Sequence, residues 1–425
     1  MKTFKIFNIV LAMIISSSLF AQDTTMVEAK VDADKKIRPF QLTFITPMGT
    51  NGIEAGKFTN IISFNMFAGY AGGLQGVEFG GFSNVINGEV RGAQFAGFTN
   101  VVNGNTYGAQ FSGFTNVVRN DLVGGQFTGF SNVVVGNVDG LQACGFSNVT
   151  KGDFAMVQIA GFSNVVNGKT DGAQIAGFIN IARKDIAGLQ LAGFANVAGN
   201  NAHAVQIAGF SNTAKDTLTG VQISGFVNTA KHVNGSQLGF INICDTIENG
   251  IPLGFISIVR KGYHKLEIGA GESFYANASI KLGVSKFYNI FSVGIKPVGD
   301  MFLWGPGYGI GTDLTLSEKL NMNIDLISYS IFDSKHNWRD EPWETGNWDY
   351  EYSSLNTLSL NLSRQFSKNF SIYAGPSFNV VVSNETDNEG LLIGTDIAPY
   401  KMYKSTYYDT IVEMYLGFKV GLRFF

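Results

Sequence analysis

The sequence predicts an all-β chain in two parts, an N-terminal β-solenoid of 16-residue coils followed by an approximately eight-stranded antiparallel β-barrel. Three observations carry this. A Gly-Phe pair recurs every sixteen residues through the first part. Apolar and polar side chains alternate strictly through the second. Only 15% of the 425 residues are charged, against roughly 25% in ordinary soluble domains.

Taken in order, the first element is a leader. "MKTFKIFNIVLAMIISSSLFAQ" has Lys2 and Lys5, an apolar run from Ile6 to Ile15 and a small-residue exit at Ala21. That is the layout of a cleaved signal peptide, residues 1–21. A membrane-spanning helix would need about 20 apolar residues. Residues 22–41 read as a linker and 42–262 as the solenoid with its caps.

The repeat is the strongest signal. Phe stands at 82, 98, 114, 130, 146, 162, 178, 194, 210 and 226, with Asn two residues later and Gln four residues earlier; the first copy has Glu78 at the Gln position. Gln94, Phe98 and Asn100, or Gln158, Phe162 and Asn164, are typical sets. Sixteen residues cannot bury their own apolar face, but stacked copies can, at the interstrand spacing of about 4.8 Å. Phe then stacks on Phe, and Asn and Gln form amide ladders. The Gly before each Phe makes room for a tight corner, and stretches such as Asn103-Gly104 read as turns. The register decays at "SQLGFIN" (236–242) and "IPLGFIS" (251–257), as terminal coils do. The competing arrangement makes each repeat a barrel strand and the protein a transporter or channel. The mixed faces, with Gln94, Ala96, Phe98 and Asn100 on one side, argue against a lipid-facing row.

From Tyr263 the grammar changes. Leu358, Leu360 and Leu362 share one face of a strand and Ser359, Asn361 and Ser363 the other; Leu416, Phe418, Val420, Leu422 and Phe424 oppose Gly417, Lys419, Gly421 and Arg423. Eight such strands are expected near 264–272, 276–284, 287–297, 304–316, 319–332, 354–366, 369–382 and 408–425. Short turns follow strands 2, 4 and 6, and longer segments follow strands 3, 5 and 7. This makes residues 263–425 a transmembrane barrel of outer-membrane type, with outer-membrane lipid as its first partner. Lys265, Glu267, Lys281, Lys296, Asp313, Asp325, Glu413, Lys419 and Arg423 fall on the inward face, which suggests ion pairing in a filled lumen. Strand parity puts both barrel ends, and hence the solenoid, on the periplasmic side.

Chemistry is sparse. The four His are scattered, no metal-ligand spacing occurs, and no catalytic or nucleotide motif is present. No enzyme, cofactor or metal is expected. A net charge of −3 offers no basic footprint for nucleic acid. Cys144 and Cys244 lie a hundred residues apart and form no disulfide framework. The one candidate ligand-binding segment is "HNWRDEPWETGNWDYEY" (336–352), where Trp338, Trp343 and Trp348 stand among Asp340 and Glu344. Aromatic platforms beside carboxylates stack on sugars or hold a cation; a self-packed loop is the plainer alternative.

The repeats, with "LTFITPMGTNGIEAGKFTN" and "FNMFAGYAGG" before them, resemble the surface-repeat proteins of Bacteroidota and spirochaetes, which carry G-x-Q-x-x-G-[FL]-x-N units. The resemblance covers residues 42–260. It implies a place in the cell envelope and supplies neither activity nor functional residues. Its surface location points outward, whereas strand parity points inward. The function expected is a non-enzymatic outer-membrane protein whose barrel anchors a repeat rod for a structural or protein-interaction role. An adhesin or glycan-binding protein that uses the repeats or the long loops, where these face outward, is the alternative.

Overall fold

One coil shows why the chain winds. In the computed structural model, which describes residues 36–334, 352–384 and 393–425, Val90–Ala96 and Thr99–Val102 are strands joined by the corner Gly97–Phe98. Alternation along the two strands turns Val90, Gln94, Asn100 and Val102 inward, all fully buried. Each strand pairs in parallel with its copy sixteen residues on, Gln94 beside Gln110 and Asn100 beside Asn116. Two close approaches require glycine. A Cβ on Gly97 would lie 2.1 Å from the Gly81 carbonyl oxygen, and one on Gly92, at φ +141°, would lie 1.9 Å from that of Gly76.

About 13 coils of ~16 residues stack in this way, a rod on the order of 60 Å long at ordinary strand spacing. Parallel pairing at this offset rules out the repeats as strands of an up-and-down barrel, whose neighbours are antiparallel. The first strand begins at Lys36 and pairs in parallel with Phe58–Ala71. The segment read as linker up to residue 41 therefore gives its last six residues to the solenoid. Its remaining described-sheet partner is the two-residue strand Met48–Gly49. At the other end the pairing offset shortens: Asn228 meets Asn242, and Gln237 meets Pro252.

The barrel strands are β1 (Tyr263–Gly271), β2 (Ala276–Val284), β3 (Phe287–Val298), β4 (Met301–Ser317), β5 (Leu320–Ser330), β6 (Ser353–Ser367), β7 (Phe370–Ser383) and β8 (Thr410–Phe424). Each pairs antiparallel with the next, and β8 closes on β1 with Ile268 opposite Leu422. Two short strands, Phe332–Asp333 on β4 and Tyr403–Tyr407 on β8, complete the ten-stranded sheet. Two-residue turns follow β2, β4 and β6 as expected. The connection after β3 differs from expectation. It too is tight, because β3 and β4 extend to Val298 and Met301 and Gly299, at φ +56°, makes the turn.

The solenoid ends against the outer wall of the barrel. Asn289 Nδ2 on β3 donates to the Gly254 carbonyl at 2.8 Å. The Phe255 ring stacks on Tyr308 of β4 at 4.6 Å and meets Phe291 edge-on at 5.8 Å. Chain direction sets this junction at the end that carries the short turns, where β1 begins and β8 ends.

Candidate functional site

Trp338, Trp343, Trp348, Asp340 and Glu344 lie outside the described residues. The leader and the residues up to 35 do as well.

The ladder residues are brought together by coil stacking. Gln110 Nε2 donates to Gln94 Oε1 at 2.8 Å, Gln126 to Gln110 at 2.8 Å, and Gln174 to Gln158 at 2.9 Å. Every glutamine of this ladder, from Gln94 to Gln237, thus donates toward the N-terminal coil. The asparagines donate the other way: Asn100 Nδ2 to Asn116 Oδ1 at 3.0 Å, and Asn164 to Asn180 at 2.9 Å. Each Asn Nδ2 also reaches a main-chain carbonyl, Phe111 for Asn100 and Ile175 for Asn164, and this second bond fixes its direction. The two rows of amide dipoles therefore oppose one another inside the rod. Their complete burial costs little because nearly every polar atom is paired.

Glu78 begins the glutamine ladder. Its two oxygens accept from Asn65 Nδ2 at 2.9 Å and Gln94 Nε2 at 2.8 Å. A group that accepts on both sides lets all the glutamines point the same way. Burial pushes this carboxyl up to about 7, against the lowering effect of its hydrogen bonds from Gln94, Asn65 and Ser63.

The aromatic rows are on the outside. Phe98 is 39% exposed; its ring is covered on both faces by Phe82 at 4.8 Å and Phe114 at 4.7 Å, and its edge faces outward. The stack continues through Phe162 to Phe255. A second stack, Phe64, Phe79, Phe95, Phe111 and Phe127, runs beside it at 4.9–5.2 Å per step. This second row walls a groove of about 710 Å³. The groove was not read from the sequence. Its signal is the residue after each Gln, which alternation must turn outward. The Lys, Arg and Asp of the turns, such as Arg119, Asp121, Lys151 and Asp153, sit in the connections between coils, away from the Gly-Phe corner.

In the barrel the polarity is inverted. Ile268, Ile280, Leu326, Leu360 and Phe418 point outward and are exposed. Inside, Lys281 Nζ pairs with Asp325 at 2.7 Å and Glu267 at 2.9 Å, and Arg423 pairs with Glu267 at 2.6 Å. Arg423 also donates to Asn323 Oδ1 at 2.8 Å, and Tyr288 OH donates to Asp325 at 2.7 Å. Lys401 reaches the buried Glu413 at 2.7 Å. Lys296 instead donates to the carbonyls of Glu272, Asp396 and Ile397. Tyr288, Tyr329, Tyr373 and Tyr415 fill the remaining volume. Between Tyr329, Thr357, Ser377 and Lys419 lies a space of about 10 Å³.

Among the described residues no group of His, Cys, Asp and Glu converges to hold a metal ion. Cys144 and Cys244 are unpaired, and burial pushes their thiols up to about 11 and about 12, so neither is a reactive thiolate. No family model, curated protein or solved structure matches the chain.

Proposed function

We infer that the chain is a non-enzymatic outer-membrane protein. The barrel anchors it in lipid, and the solenoid is a rod with a structural or protein-interaction role in the envelope. The observation that carries this reading is the inverted barrel. An exposed wall of Ile, Leu, Val and Phe around a lumen of Lys281, Glu267, Asp325 and Arg423 is arranged for a hydrocarbon surround and would be poorly solvated in water. The buried tyrosines and ion pairs among the described lumen residues weigh against a channel.

The solenoid joins the barrel at the short-turn end, which is periplasmic in outer-membrane barrels. This favours a rod inside the envelope. An adhesin that uses the repeats requires the opposite orientation. Single cysteines at Asn137 and Glu344, with Cys144 and Cys244 replaced by Ala, separate the two by labelling intact cells with an impermeant maleimide. Labelling at 344 alone is expected. Labelling at 137 puts the repeats outside and makes adhesion the function.

A further inference from the structure

We propose that the aromatic groove of the solenoid binds a single acyl chain of a membrane lipid. This rests on the membrane reading above and goes beyond it.

The groove is walled by stacked rings, Phe79, Phe95, Phe111 and Phe127 among them, and floored by Gly97 and Ser112. At Gly97 the floor cannot fill in, because any side chain there would collide with the coil before it. The wall of five rings, Phe64 to Phe127, extends roughly 20 Å at strand spacing. One leaflet of a bilayer is about 15 Å of hydrocarbon, so an extended chain fits lengthwise. The aromatic wall stops at Ala143, which stands where its sister coils carry Phe, Ile or Leu.

Chemistry selects the occupant. The polar side chains of the floor bond to each other, Ser112 Oγ donating to Thr128 Oγ1 at 3.1 Å, and the corner amides bond between coils, Gly97 N to Gly80 O at 3.0 Å. A sugar or peptide lying here would lose its water and gain few partners, a penalty for each group left unpaired. The wall also repeats every 4.9–5.2 Å without a distinctive position. A peptide needs separate pockets for alternate side chains; a run of methylenes does not.

Continuity points to the source. The Phe98 row runs from beside the groove to Phe255, and Phe255 stacks on Tyr308 of the barrel wall at 4.6 Å. Val293, Ile295 and Ile310 are exposed on that same wall. One apolar surface therefore connects the groove with the face that lipid would cover.

The test places the photo-crosslinker p-benzoylphenylalanine in the full-length protein, in outer membranes of cells grown on radiolabelled acetate. The sites are Phe95, Phe111, Leu360 on the barrel wall and Asn137 at the polar turns. Illumination should give lipid adducts at 95, 111 and 360 and none at 137. A Ser112→Leu change, which fills the floor, should lower the adduct at 95 severalfold and leave 360 unchanged. Lipid at 360 with none at 95 or 111 overturns the proposal, as does a protein adduct at 95. An adduct at 95 that survives Ser112→Leu also overturns it, since contact with the bilayer surface would not need the groove. Loss of the adduct at 360 overturns the membrane reading itself, and this proposal with it.

Discussion

Met156 and Glu78 each break the rules of their own repeat. Met156 occupies the position held by Gly140 and Gly172 in adjacent coils and has φ +89°. Its side chain is 56% exposed, so packing does not repay the backbone. An L-residue here costs about 1–2 kcal/mol, partly offset because glycine loses more chain entropy. Met156→Gly should therefore stabilise the solenoid by about 1 kcal/mol, read as a raised urea midpoint. Glu78 departs in charge. Its folded pKa of about 7 lies above the unfolded value, so the folded state holds the proton longer. Its contribution is most favourable below pH ~4.5 and declines as pH rises to about 7, by about 3 kcal/mol in all. Glu78→Gln should remove that decline. The difference in solenoid stability between pH 5.5 and pH 8 should shrink in the variant; an unchanged difference would show that Glu78 does not titrate in this window.

At the scale of elements, the ladders and the lumen carry the specificity. Asn164→Leu leaves the Asn148 donor and the Asn180 acceptor unmatched in the dry core, a cost on the order of 3 kcal/mol. Phe162→Leu keeps apolar contact at the outer edge and loses ring stacking worth about 1 kcal/mol. Denaturant melts should show the polar substitution to be the more damaging one, the reverse of a ranking by hydrophobicity. In the lumen, Lys281→Met leaves Glu267 with Arg423 alone and Asp325 without its cation. Breaking a buried pair costs about 3–5 kcal/mol, so the refolded barrel should unfold at clearly lower urea. Much of this was legible beforehand. Period sixteen placed Phe over Phe and Asn over Asn, and period two placed Lys281 and Leu360 on opposite faces of the barrel wall. The groove was not legible, because it depends on which of two adjacent residues, Gln94 or Phe95, turns inward. Hydrophobicity favours Phe95, and the amide ladder reverses it: a glutamine finds its partners only in the next coil. The partners of Glu78 stayed hidden for the same reason, since Asn65 and Gln94 meet it only once the coils stack. The β3–β4 turn was misjudged because Met301 and Phe302 read as loop until paired with Val298 and Pro297.

The whole molecule is a rod whose core combines aliphatic rows with amide ladders and whose edge is apolar, fixed to a barrel with a polar lumen and an apolar wall. Neither surface suits water alone, and Phe255, Phe291 and Tyr308 join the two. That join makes membrane attachment the central claim. The most direct measurement is extraction of cell envelopes containing the full-length protein with alkaline carbonate, followed by gel mobility with and without boiling. The account predicts that the chain stays with the outer membrane and that its folded barrel changes mobility only on boiling. Release into the soluble fraction, with no heat-dependent shift, would contradict it.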